Sequence, residues 1–211
     1  MNSSTPDVLH LAVSDFLDRL GERTPTPGGG SVAALSGALC CAMARMVAAY
    51  SDRGGDQVAP ITERLAKADR ILRRLITEDI AAYERLSAAN RAARADATAA
   101  GTRQEALVTA AVVPLEMAAA AVAALAAMDE LKSMSSKYLI SDLGVAATLG
   151  RACAEAAAYS VRVNLADMAD PTAPDRPAVL AAEIRRLLAD AERLALSVTD
   201  YVRRRLQPAD E

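Results

Sequence analysis

Two apolar runs, Val32–Ala44 and Met117–Met128, constrain this chain more than any other feature. They are built from Ala, Leu, Val, Met and Cys, and only Ser36 and Gly37 interrupt the first. Ala and Leu are strong helix formers, and small side chains let helices approach closely. Neither run reaches the ~18 apolar residues of a membrane span. They read as core helices of a soluble protein, and no membrane partner is expected.

Composition points the same way. Hydrophobic residues make up 52% of the chain but aromatics only 3%, with one Phe and no Trp. No segment alternates apolar and polar residues as a half-buried strand does, and no internal repeat is present. The expectation is an all-α fold: one domain over residues 1–211, a bundle of about six helices, several of them long and antiparallel. A chain of 211 residues is long enough to bury a real core.

The pattern places helices over Asp7–Leu20, from Gly30 or Ser31 to about Tyr50, and from Ile61 to Ala93. Three more cover Arg103–Lys132, Asp142–Asp167 and Ala178–Leu206. Pro114 is expected to kink the fourth of these. The second is apolar nearly all round as far as Arg45, which predicts a central, buried helix. The last is charged and amphipathic, an outer helix. Ser51–Pro60, a stretch around Gly101, Ser133–Ser141 and Ala169–Pro177 read as breaks.

A net charge of -3 lacks the basic footprint of a nucleic-acid binder. Cys40, Cys41 and Cys153 lie inside apolar helical runs; an odd count with two adjacent makes a disulfide framework implausible. Buried free thiols in a reducing, cytoplasmic setting fit better. No basic segment followed by an apolar run marks a signal peptide at the N-terminus. His10 is the sole histidine, so neither a Ser/His/Asp triad, a Cys/His pair nor a metal cluster can be assembled. Chemistry must run on carboxylates, Tyr, Lys or Arg, and backbone dipoles.

The segment "TPTPGGGSVAAL", Thr24–Leu35, then stands out. Glycine triplets before a serine are ordinarily flexible linkers. Here two prolines stiffen the approach, and the segment joins a short helix to the most apolar one. Gly28, Gly29 and Gly30 leave backbone bare at a helix N-terminus, where unpaired N–H groups favour an anion. Neither a Walker loop nor a dinucleotide fingerprint is present.

Asp79 and Tyr83 share a helix face: a surface carboxylate beside a half-buried tyrosine, or a proton donor or acceptor aimed into a pocket. Ser141 has the position of an N-cap, and Asp142 suits the first turn of its helix. Glu155, Tyr159, Arg162 and Asn164 follow one another on the fifth helix, as a dimer interface or a ligand-facing stripe. Arg162 is the cation there able to fork around a carboxylate.

Taken together, "FLDRLGERTPTPGGGSVAALSGALCCAMARMVA" resembles the opening of the cyclodeaminase/cyclohydrolase family. "DIAAY" at Asp79–Tyr83, "VPLEMA" at Val113–Ala118, "SDLGVAA" at Ser141–Ala147 and "VRVNL" at Val161–Leu165 follow in the family's order. The resemblance runs from about Phe16 to Leu206. It implies an all-α homodimer whose folate pocket is built partly at the subunit interface. It also implies a tetrahydrofolate derivative as substrate, with no prosthetic group and no metal. The reaction is either ammonia release from 5-formimino-tetrahydrofolate by cyclisation or hydrolysis of 5,10-methenyl-tetrahydrofolate. Carried over by position, Asp79 and Asp142 would transfer protons. Pro27, Gly28, Gly29, Gly30 and Ser31 would shape the pocket wall. Tyr83 and Ser141 join the substrate-binding set, and Arg162 and Asn164 would orient polar groups or anchor the glutamate tail.

The chain also departs from the family's pattern. Ala48–Gln57 holds no lysine, the loop before Ser141 reads "SKYLISD" where the family carries asparagines, and Ser160 replaces an Asn. Two alternatives stay open on that ground: a different reaction in the same pocket, as in specialised biosynthesis, or a non-catalytic helical dimer that binds a small molecule or protein.

Overall fold

The structure, a computed structural model, describes residues 8–51, 57–168 and 173–207. Within them are six α-helices and no strand: α1 (Val13–Gly21), α2 (Gly29–Ser51), α3 (Ala59–Ala95), α4 (Ala100–Leu131), α5 (Ile140–Ala166) and α6 (Arg176–Leu206). Single 3-10 turns occupy Val8–His10 and Ala97–Ala99.

The core draws on α2 to α6. Leu65, Leu72 and Leu75 from α3 meet Met117, Leu125, Met128 and Leu131 from α4, with Leu143 and Val161 from α5 and Ile184 and Val198 from α6. Alanines fill the spaces between, as on α2, where Ala33, Ala34 and Ala44 are wholly buried. Small side chains let helices pack closely where aromatics are almost lacking. Cys40, Cys41 and Cys153 are free and buried here. Burial pushes the Cys153 thiol up to about 12. Cys40 is raised well above its ordinary value, first by its hydrogen bond with Cys41 and then by burial. Un-ionised thiols are poor nucleophiles.

α5 runs antiparallel to α2. Asn164, near the end of α5, shares a cavity with Gly28–Gly30 at the start of α2. At the opposite end, the backbone N–H of Ser136, just before α5, donates to Ser51 Oγ at 3.2 Å.

Several expectations need correcting. The first helix begins at Val13, after a 3-10 turn over Val8–His10, and Phe16, in its first half, is its buried residue. Pro114 does not end its helix, as expected: it sits inside α4, which continues on both sides of it. Ser141 is not an N-cap: burial of Ile140 draws the chain into α5 two residues earlier, with Leu139 at the cap and no side-chain cap bond. The breaks at 51–60 and 169–177 lie partly outside the described residues.

The largest correction concerns α2. It packs on α3, α4 and α5, but its fourth side is uncovered. Val32, Leu39, Met46 and Tyr50 are 36%, 51%, 38% and 72% exposed. Helices α2 and α4 also contain segments long and apolar enough, by length and composition, to cross a membrane. That measure is wider than the uninterrupted runs, because it tolerates the small polar residues between them. Half of the α2 segment and 61% of the α4 segment are buried inside the bundle, so the fold itself accounts for much of their apolarity.

Candidate active site

A cavity of about 380 Å³ opens where the start of α2, the middle of α3, the first third of α4 and the end of α5 converge. Its polar lining includes Thr26, Asp79, Tyr83, Ser160, Asn164 and Asp167; Leu86, Leu107 and Val163 form the apolar wall.

Asp79 is its most constrained group. Its carboxylate lies directly over the Cα of Gly30: a Cβ added there would overlap it, coming within 2.6 Å even of Oδ2. Ser31, wholly buried, shares its hydroxyl between Asp79 Oδ2 at 3.2 Å and the Ile76 carbonyl at 3.4 Å. The Ser31 backbone N–H also favours the charged form of this carboxyl. The glycine reading thus becomes specific. The start of α2 is bare, and the group that occupies it is the chain's own Asp79 carboxyl. No Cβ would crowd Gly29, so only the third glycine is required by packing here.

Burial pushes the Asp79 carboxyl above the usual carboxylate range, against the opposing pull of the Ser31 hydroxyl and N–H. A carboxyl shifted toward neutrality in a cavity is suited to giving and taking protons at working pH.

Across the cavity, Asn164 Nδ2 donates to the carbonyls of Ala110 at 2.8 Å and Ser160 at 2.9 Å. Both partners are acceptors, which fixes the amide's orientation and uses both its hydrogens. Its oxygen keeps the capacity to accept from a ligand. Tyr83 is half exposed at the rim. Asp167 also reaches the cavity and pairs with Arg103 at 3.5 Å.

The remaining candidates lie elsewhere. Pro27 is buried behind the wall, following a cis peptide bond from Thr26. Ser31 supports Asp79 and does not line the cavity. Arg162 is exposed and outside it. Asp142 stands at the far end of α5, twenty-two residues from Asn164 and therefore about 33 Å away along the axis. A single chain cannot bring Asp79 and Asp142 together. Asp142's end of α5 adjoins a larger cavity of about 620 Å³, lined by Ser51, Ser136, Lys137, Tyr138 and Arg205 among others. Ser141 lines a shallow groove between α5 and α6.

Residues 12–178 match the family model for formiminotransferase-cyclodeaminase, which is most of the chain. The chain belongs to this family. It is 31% identical over 168 residues to a methenyltetrahydrofolate cyclohydrolase of Methylorubrum extorquens, covering 75% of this chain and 81% of that one. It is also 31% identical over 173 residues to the mouse formimidoyltransferase-cyclodeaminase, covering 77% of this chain but only 32% of that longer protein. The crystal structure of a formiminotetrahydrofolate cyclodeaminase from Thermotoga maritima superposes with a TM-score of 0.84 at 28% identity, covering 93% of this chain and 98% of that one.

Asp167, Ser160, Leu86 and Leu107 line the cavity without having stood out as site residues in the sequence. Nothing local separates Asp167 from any helix-end carboxylate. Ser160 was visible only as a departure from the family's pattern.

Proposed function

We propose that the chain is a folate-dependent one-carbon enzyme, with Asp79 as the proton-transferring group. The position of Asp79 carries the reading: a carboxyl held over Gly30, raised toward neutrality by burial and facing a cavity. In hydrolysis of 5,10-methenyl-tetrahydrofolate, water adds to the carbon between N5 and N10; the water loses a proton and the departing nitrogen gains one. In cyclodeamination, N10 attacks the formimino carbon and the departing ammonia must be protonated. One carboxyl able to exchange a proton serves either sequence.

The protein acts as a homodimer in this reading. Val32, Leu39, Met46 and Tyr50 form an uncovered stripe along about 27 Å of α2. Heptad-like spacing of this kind favours helix pairing. A two-fold antiparallel pairing sets the Gly30 end of α2 beside the Ser51 end of the partner's α2. Because α5 is antiparallel to α2, the α5 N-terminus that carries Asp142 then comes to the Asp79 cavity from the second copy. Each site would use Asp79 from one copy and Asp142 from the other. Three buried free thiols support a reducing, cytoplasmic setting.

The test is complementation. Asp79→Asn and Asp142→Asn homodimers should each be inactive toward methenyl- or formimino-tetrahydrofolate, followed by absorbance and by ammonia release. Mixed and re-associated, they should regain about a quarter of wild-type activity, since half the dimers are mixed and hold one intact site of two. No recovery from two inactive, folded variants breaks the shared-site reading. Ser160, where the family's pattern has Asn, lines the cavity and favours a second reading, a different reaction at the same carboxyl. Folate binding without turnover in either assay would select it.

A further inference from the structure

The Asp79 cavity does not end at Tyr83. A second depression of about 190 Å³ shares Tyr83 and Leu86 with it and continues along α3 past Ser87 and Asn90 to Arg91 and Arg94. The groove changes character along its length. Asp79 stands at one end, an aromatic ring and a leucine occupy the middle, and two guanidinium groups stand at the other end.

The separation is set by the helix. Side chains on α3 lean toward its N-terminus, and Arg91 does so visibly: its Nη1 donates to Ser87 Oγ at 3.2 Å. The Arg91 guanidinium therefore lies at the level of Ser87, eight residues beyond Asp79, or about 12 Å along the axis. Both Arg91 and Arg94 are exposed, and neither is ion-paired with a described carboxylate. Arg103, on α4, is already engaged by Asn90 Oδ1 at 2.8 Å and by Asp167.

We infer that Arg91 and Arg94 form a carboxylate subsite, which holds the anionic tail of a substrate whose reacting end sits at Asp79. The ligand class is a molecule with a proton-exchanging head, a flat apolar middle that lies against Tyr83 and Leu86, and one or more carboxylates about 12 Å from the head. Guanidinium groups bind carboxylates in forked pairs, and the open depression leaves room for more than one. This places the tail on α3, not on Arg162. The inference rests on the folate reading, in which the glutamate of tetrahydrofolate is that tail.

The experiment measures binding of 5-formyl-tetrahydrofolate, its triglutamyl form and the corresponding tail-less pteroate to the full chain and to the Arg91→Gln/Arg94→Gln variant. Thermal unfolding confirms that the variant is folded. The wild type should bind the tailed ligands more tightly than the tail-less one. The variant should lose about tenfold or more of that affinity, as for charge-assisted hydrogen bonds, and bind the tail-less ligand unchanged. A wild type that binds none of the three overturns the folate reading and the subsite together. A wild type that binds the tailed ligands, with a variant unaffected or weakened equally toward all three, overturns the subsite alone.

Discussion

Two carboxylates stand ten residues apart on α3, both against α2, and they are treated in opposite ways. Asp69 is 5% exposed and held by two arginines, Arg73 Nε at 2.8 Å and Arg45 Nη1 at 3.2 Å. Asp79 is paired with no cation among the described residues; it receives the Ser31 hydroxyl and otherwise faces a cavity. The first arrangement fixes a charge and ties α2 to α3. The second leaves a proton free to exchange, because burial without a counter-charge raises a carboxyl. The same residue type on the same helix therefore reads as structural in one place and chemical in the other.

The sharpest way to break that comparison is to neutralise each carboxylate in turn. Asp79→Asn should cut turnover about 10²- to 10⁴-fold and leave the protein folded. Unchanged turnover in that variant would remove Asp79 from the chemistry. Gly30→Ala should come next, since its methyl group must displace the Asp79 carboxyl. Turnover should fall toward that of Asp79→Asn, and unfolding should show a loss of about 1–3 kcal/mol from overpacking. Gly29→Ala, in open space, is the control and should change neither.

Asp69→Asn should give the converse result. Stability should fall by about 1–3 kcal/mol as a charge-assisted pair weakens, measured by denaturant unfolding, with turnover per folded molecule near wild type. If Asp69→Asn lost activity at full stability, the division between the two carboxylates would be wrong.

The smallest effect is in pH. Asp79 has a folded-state value above its unfolded one, so the native state holds the proton more tightly than the unfolded chain. Its contribution to stability is fully present below the unfolded value of about 3.9 and is lost as pH rises through the folded one. Asp79→Asn should lack that slope, and above the window it should be as stable as wild type or more so. A wild-type and a variant profile that run parallel would show that Asp79 is not shifted.

Much of the fold was legible because its signals are local. Helical spacing of Leu65, Leu72 and Leu75, the Ala-rich runs, and the Gly and Pro breaks each act within a few turns, and five of the six helices began and ended within a few residues of expectation. The start of α1 and the cap of α5 were less legible: a 3-10 turn takes the place of the first expected helical turns, and burial of Ile140 brings α5 forward. In the site, Asp79 could be named from its spacing to Tyr83 and from the family's motif. Its two readings could not be separated in sequence, since a cavity is a property of four helices.

The sequence by itself determined an all-helical chain, the boundaries of its long helices and the presence of a glycine-bearing helix start. Only the tertiary structure decided that Gly30 is small to admit Asp79, forty-nine residues away, and that Asp142 lies at the opposite end of its own chain. It also decided that α2, apolar nearly all round, leaves one stripe uncovered. The physical reason is common to all three. Periodicity reports which residues share a face, but burial depends on which other faces arrive to cover it.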